Sequence, residues 1–188
     1  RLTVGCHAHG SPLPLIPAIA TSCNSYFCWG LFRMFGDRKY GSPQNAITVW
    51  KDHMVSQGFG YKLGVDLPGQ GEILSTPLQI ANLGATIANR GHFTTPHIVK
   101  EIQDAQLDSI YRHPRNTTIE RRHYESVVEG MRAAATGGTC RMLSVMVPEL
   151  EACGKTGTAQ NRGHDHSVFM GFAPMNQPKI AIAVYVEN

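Results

Sequence analysis

From Cys153 onward the chain changes character, and that change constrains its fold more than any other feature. Cys153–Ala159, Ser167–Ala173 and Ile180–Val186 are short runs bounded by turn-forming residues, the pattern of β-strands. The Pro174–Pro178 stretch reads as a hairpin connection, so the runs form an antiparallel meander. Upstream the periodicity is helical. Helices are expected over Leu13–Thr21, Ser25–Phe35, Pro43–Gln57 behind a Ser42 cap, Thr76–Asn89 and Thr118–Ala135. Tyr26, Trp29, Phe32 and Arg33 recur at helical spacing, as do Ile47, Trp50 and Met54, and both tryptophans are expected in the core. Thr76 followed by Pro77 is a strong helix start, and Gly91 and Gly137-Gly138 are stops. Helices first and strands last predict an α+β fold, an antiparallel sheet packed against helices.

Composition narrows the function classes without choosing one. With 42% hydrophobic and 16% charged residues, the 188-residue chain can bury a core and is expected to form one domain. Seventeen Lys and Arg against fourteen Asp and Glu, net +3, argue against nucleic acid as a partner. The uncharged stretch from Gly10 to Phe32 is interrupted by Pro12, Pro14 and Pro17, which makes it a poor membrane span. No basic segment followed by an apolar run opens the sequence, so no signal peptide is expected in it. Five cysteines at irregular spacing form no CxxC pair; one bridge, between Cys140 and Cys153, is conceivable. His7 with His9, and His164 with His166, have metal-ligand spacing but no convincing partner ligands, and no metal or other cofactor is expected.

Two segments carry chemistry. Gly154-Lys155-Thr156-Gly157-Thr158 opens the first C-terminal strand. Small residues there let another backbone approach closely. Lys155 supplies a fixed positive charge, and hydroxyls with N–H groups can hold a carboxylate or an oxyanion. A phosphate loop would need GxxxxGK[ST] opening a helix, which this is not. Ser22-Cys23-Asn24 is the second segment, a polar step between two apolar helices. Cys23 is expected to point into the core as a small hydrophobe.

SxN followed far downstream by KTG matches two of the three motifs shared by penicillin-binding proteins and class A β-lactamases. The blocks Cys6-His7-x-His9-Gly10-Ser11, Ala18 to Phe27, Phe59 to Gly69, Gly71 to Asn82 and Gly154 to Gln160 follow one another in the order of that family. Together they resemble the transpeptidase domain of class B penicillin-binding proteins, the penicillin-binding protein 2 group in its Bacteroides-like form, across essentially the whole chain.

That resemblance implies a peptidoglycan D,D-transpeptidase working through an acyl-serine intermediate and trapped by β-lactam antibiotics. In such a scheme Ser22 relays a proton to the leaving amine, with Lys155 as its charged partner. Asn24 binds a substrate amide. Thr156 and Thr158 grip a terminal carboxylate across Gly157, the Thr158 N–H serves as an oxyanion donor, and Gln160 lines the cleft. Implied partners are D-Ala-D-Ala stem peptides, a lipid-linked glycan polymerase and the elongation scaffold. The implied location is the periplasmic face of the inner membrane, through an anchor outside these residues. The 188 residues then form the C-terminal portion of a transpeptidase domain.

The chain departs from the pattern in two places. No serine is followed three positions later by lysine, so the SxxK nucleophile is not among these residues. Leu67-Pro68-Gly69 runs directly into Gln70-Gly71-Glu72, where relatives carry a longer loop, and a missing loop is expected at the Gly69/Gln70 junction. A non-catalytic penicillin-recognising sensor or pseudo-enzyme is the alternative reading. A metal-binding domain built on the histidine pairs is a third.

Overall fold

The computed structural model describes residues 4–60, 75–159 and 164–187. Helix α1 (Leu15–Ala20) leads through a tight turn into α2 (Asn24–Phe35), and α3 (Pro43–Ser56) follows a short 3-10 turn at Arg38–Tyr40. Helix α4 (Pro77–Ala88) runs into β1 (His92–Phe93); α5 (Ser109–Arg112) and β2 (Arg115–Asn116) come next. The long α6 (Arg121–Gly137) and the short α7 (Met142–Met146) precede the meander β3 (Cys153–Ala159), β4 (His166–Ala173) and β5 (Ile180–Val186). The Gly69/Gln70 junction lies outside the described residues.

The meander is antiparallel throughout, in the order β3-β4-β5, which among the described residues leaves β3 paired on one side only. Its register puts Cys153, Phe172 and Ala181 on one face and Thr156, Phe169 and Val184 on the other. The first face meets the helices. Ile19 of α1, Ile87 and Ala88 of α4, and Tyr124, Val128 and Met131 of α6 close on Cys153 and Phe172 to form the main core. Glycine sets two of these approaches: a Cβ at Gly130 would lie 2.7 Å from the Ile19 side chain, and one at Gly84 3.2 Å from Met170. A smaller cluster joins Ala20, Ala134 and Cys140, with Leu143 of α7 and Phe169 packed against it.

Local chemistry explains most boundaries. Thr76 and Gln79 form a reciprocal capping box at the start of α4. The Ser42 hydroxyl accepts from the Asn45 N–H at the start of α3. The strands match expectation to within a residue. Helix α6, however, starts at Arg121 rather than near Thr118. The Thr117 N–H donates to the Gly91 carbonyl beside the β1–β2 pair, and Glu120 is still extended at φ −64° and ψ 141°, so helical geometry begins only at Arg121. The two-residue sheet of β1 and β2 was not foreseen; two-residue strands carry no period to read.

Two further expectations fail. Trp29 is 60% exposed, stacked on Phe32 at 5.7 Å, and α2 buries no residue at all; its aromatic spacing marks a surface stripe. On α3, Ile47 is exposed, and only Ala46 of that helix is buried. Cys140 and Cys153 are both buried and both free thiols, in different core clusters, so no bridge joins them. Among the described residues no helix is long and apolar enough to cross a membrane.

Candidate active site

Ser22 occupies the turn between α1 and α2, with φ at +55°. A non-glycine residue in that region is uncommon, and here the surroundings hold it. The Ser22 N–H donates to the Ile19 carbonyl at 3.2 Å and the Cys23 N–H to the Ala18 carbonyl at 2.9 Å. Cys23 then caps α2, its sulfur accepting from the Tyr26 N–H at 3.4 Å. The turn is thereby fixed to the end of α1, and α1 is fixed to the core through Ile19.

Lys155 reaches this turn from β3. Its ammonium donates to Ser22 Oγ at 2.7 Å and to the Thr156 carbonyl at 2.7 Å. One hydrogen bond therefore unites the two motif segments across 133 positions of sequence. Burial lowers the Lys155 pKa from its ordinary 10.5, and the neighbouring Cys140 opposes that shift. Because Ser22 Oγ accepts from the ammonium, its own proton is free to point elsewhere.

Thr156, Gly157 and Thr158 continue along the unpaired side of β3. Thr158 and Gly157 are exposed, and Thr156 is half-buried. Among the described residues a Cβ at Gly157 would meet only Val168, at an ordinary 3.8 Å, so packing among them does not require this glycine. By contrast, a Cβ at Gly154 would strike Phe169 at 2.7 Å. Gly157 thus reads as an opening toward a ligand, Gly154 as a packing glycine. The Thr156 hydroxyl donates to Thr139 Oγ1 at 2.9 Å, a contact the sequence reading missed because no motif marks Thr139. Asn24 lies at the first turn of α2, where its side-chain amide donates to the Gly5 carbonyl at 3.0 Å. Gln160 lies outside the described residues.

Beside the SxN turn the fold gathers ligands that sequence spacing did not pair. Cys6, His9 and Cys23 bring their donor atoms within 4.8 Å of one another. Cys6 Sγ lies 3.5 Å from Cys23 Sγ and 3.4 Å from His9 Nε2. Hydrogen bonds from the Ser25 backbone and from His9 bring the exposed Cys6 thiol down to about 6. Two sulfurs and an imidazole suit a thiophilic cation such as zinc. The histidine spacing alone pointed to His7 with His9; the structure replaces His7 by two cysteines, one of them seventeen positions away.

The model of the penicillin-binding protein transpeptidase domain family matches residues 7–188. The peptidoglycan D,D-transpeptidase MrdA of Acinetobacter baumannii is 30% identical over 91% of this chain and 31% of its own length. The chain thus spans about a third of that relative. A crystal structure of Pseudomonas aeruginosa PBP2 in complex with WCK 5153 superposes with a TM-score of 0.69 at 28% identity, covering 94% of this chain and 43% of the other. Helicobacter pylori PBP2, solved in complex with MreC, shares the fold at 22% identity with a TM-score of 0.69 over 99% of this chain and 40% of the other.

Proposed function

The chain belongs to the penicillin-binding protein transpeptidase family, and on that footing we propose that it is the SxN and KTG half of a peptidoglycan D,D-transpeptidase site. The bond from Lys155 Nζ to Ser22 Oγ carries this reading: it assembles a charged hydroxyl pair beside an unpaired strand edge. An extended stem peptide adds to that edge by backbone pairing. Thr156 and Thr158 hold its terminal carboxylate across Gly157, with Lys155 supplying the positive field. Asn24 faces the peptide's amide.

The reacting serine comes from outside these 188 residues. A base that accompanies it takes its hydroxyl proton as its oxygen bonds to the penultimate D-Ala carbonyl carbon; the developing negative charge rests on N–H groups that include that of Thr158, and the amide C–N bond then breaks. Ser22 gives its proton to the departing D-Ala nitrogen and is replenished through Lys155. An amine from a neighbouring strand then takes the acyl group and returns the serine oxygen its proton. A β-lactam enters the first step and cannot leave by the second. The site belongs on the periplasmic face of the inner membrane. There the elongation scaffold is the expected protein partner, in line with the MreC complex of the Helicobacter protein, together with a lipid-linked glycan polymerase.

Labelling with a fluorescent penicillin tests this on two proteins: this chain, and the same chain extended through the upstream region. Labelling of the extended protein alone, abolished by replacing its SxxK serine and strongly reduced by Ser22→Ala, is the expected result. An extended protein that is folded yet unlabelled would instead make the domain a sensor or pseudo-enzyme.

A further inference from the structure

The loop that leaves α6 brings a third hydroxyl to the KTG strand. Gly137 and Gly138 end the helix, and a Cβ at Gly138 would strike the Ala20 carbonyl and lie 2.8 Å from Ala134 Cα. Only glycine lets the backbone pass so close to the end of α1. The next residue is pinned on both sides: the Thr139 N–H donates to the Ala20 carbonyl at 3.1 Å, and the Cys140 N–H to the Ala134 carbonyl at 3.0 Å. Cys140 is buried, which anchors the loop further. Thr139 therefore has a fixed backbone while its side chain is exposed, and its hydroxyl meets Thr156 Oγ1 at 2.9 Å.

We propose that Thr139 is a positioning residue for carboxylate-bearing ligands, acting through Thr156; the inference rests on the acyl-transfer reading above. A threonine hydroxyl has one proton to give and two lone pairs to receive with. Without ligand, Thr156 spends that proton on Thr139. When a carboxylate arrives, Thr156 turns its proton to the anion, and Thr139 turns its own proton to the vacated Thr156 oxygen. The Thr156 oxygen stays satisfied, and accepting a hydrogen bond makes it a better donor to the anion. The Cys140 thiol, 3.8 Å from Thr139 Oγ1, stands behind the same chain of hydroxyls. The loop also touches the end of α1, so one short segment holds the Ser22 turn and the Thr156 hydroxyl in a common frame.

The test uses the extended protein and compares a penicillin with its methyl ester, which cannot present a carboxylate. Thr139→Val keeps the branched shape and removes the hydroxyl; Thr139→Ser restores the hydroxyl. One neutral hydrogen bond made indirectly to a charged ligand predicts that T139V slows acylation by the acid about three- to tenfold. The ester rate should stay within about twofold, and T139S should recover the acid rate. Equal loss for acid and ester would show a merely structural role and overturn the inference, as would no loss for either. A labelled wild type with an unresponsive T139V sinks this inference alone, whereas a folded but unlabelled wild type removes the acyl-transfer reading and this one with it.

Discussion

Lys155 sits where two opposing requirements meet. In the proposed site it must be charged to attract a carboxylate, yet burial beneath the Ser22 turn disfavours the charge and lowers its pKa below the ordinary 10.5. The unfolded chain binds that proton more tightly, so stability rises as pH climbs from the folded value toward 10.5. Ligand capture runs the other way, because the ammonium is lost over the same interval. Acylation by penicillin in the extended protein is therefore expected to fall on the alkaline side at a pH below 10.5, and Lys155→Arg should push that fall upward; a rate profile across the alkaline range checks it. Cys6 presents a second residue-scale expectation. A thiol near 6 is largely thiolate at neutral pH, so iodoacetamide should modify Cys6 faster than the other exposed cysteine, Cys28. Peptide mass mapping reads the order, and both His9→Ala and added zinc should slow the Cys6 reaction.

At the scale of elements, the glycines that permit close approach matter more than any single contact. Gly130 lets α6 lie against Ile19, and through α1 that contact supports the turn bearing Ser22. Gly130→Ala forces a Cβ into the Ile19 side chain and should cost ~1–3 kcal/mol, read as a lower midpoint in urea. Thr76→Ala, which removes one half of the α4 capping box, should cost ~1 kcal/mol without touching the site, and so serves as a stability control. Boundaries set by such caps were readable from residue type: Thr76-Pro77 and Ser42-Pro43 each start a helix where expected. The start of α6 was not, because Thr117 is tied to Gly91, a neighbour only in space, and the backbone stays extended through Glu120.

Across the whole molecule the sheet is covered on one face and largely open on the other. Along β5, Ile180, Ile182, Val184 and Val186 are all exposed, whereas Ala181 turns toward the helices, 3.7 Å from where a Gly84 Cβ would lie. Phe27, Trp29, Leu31 and Phe32 make a second apolar surface on α2. Apolar exposure gathered along one face of β5 marks a surface made for contact. The 188-residue chain should accordingly bind the dye ANS in its folded state. Replacing Ile182 and Val184 by lysine should reduce that fluorescence with little change in far-UV circular dichroism; an unchanged signal would place the dye elsewhere.

Period and residue type sufficed for whatever depends on near neighbours in sequence: the strands of the meander, the capped helices, and the Ser22 and Lys155 segments, each legible as polar chemistry in an apolar setting. Even the order of the blocks was enough to suggest the family. The family resemblance had already paired Lys155 with Ser22, and the structure sets them 2.7 Å apart. What the tertiary structure alone decided was Thr139 on Thr156, Cys6 and Cys23 beside His9, and the outward turn of the aromatic spacing of α2. The physical reason is common to all of these. Hydrogen bonds and burial are made between surfaces, and a residue's periodicity says which face it occupies but not what that face will meet.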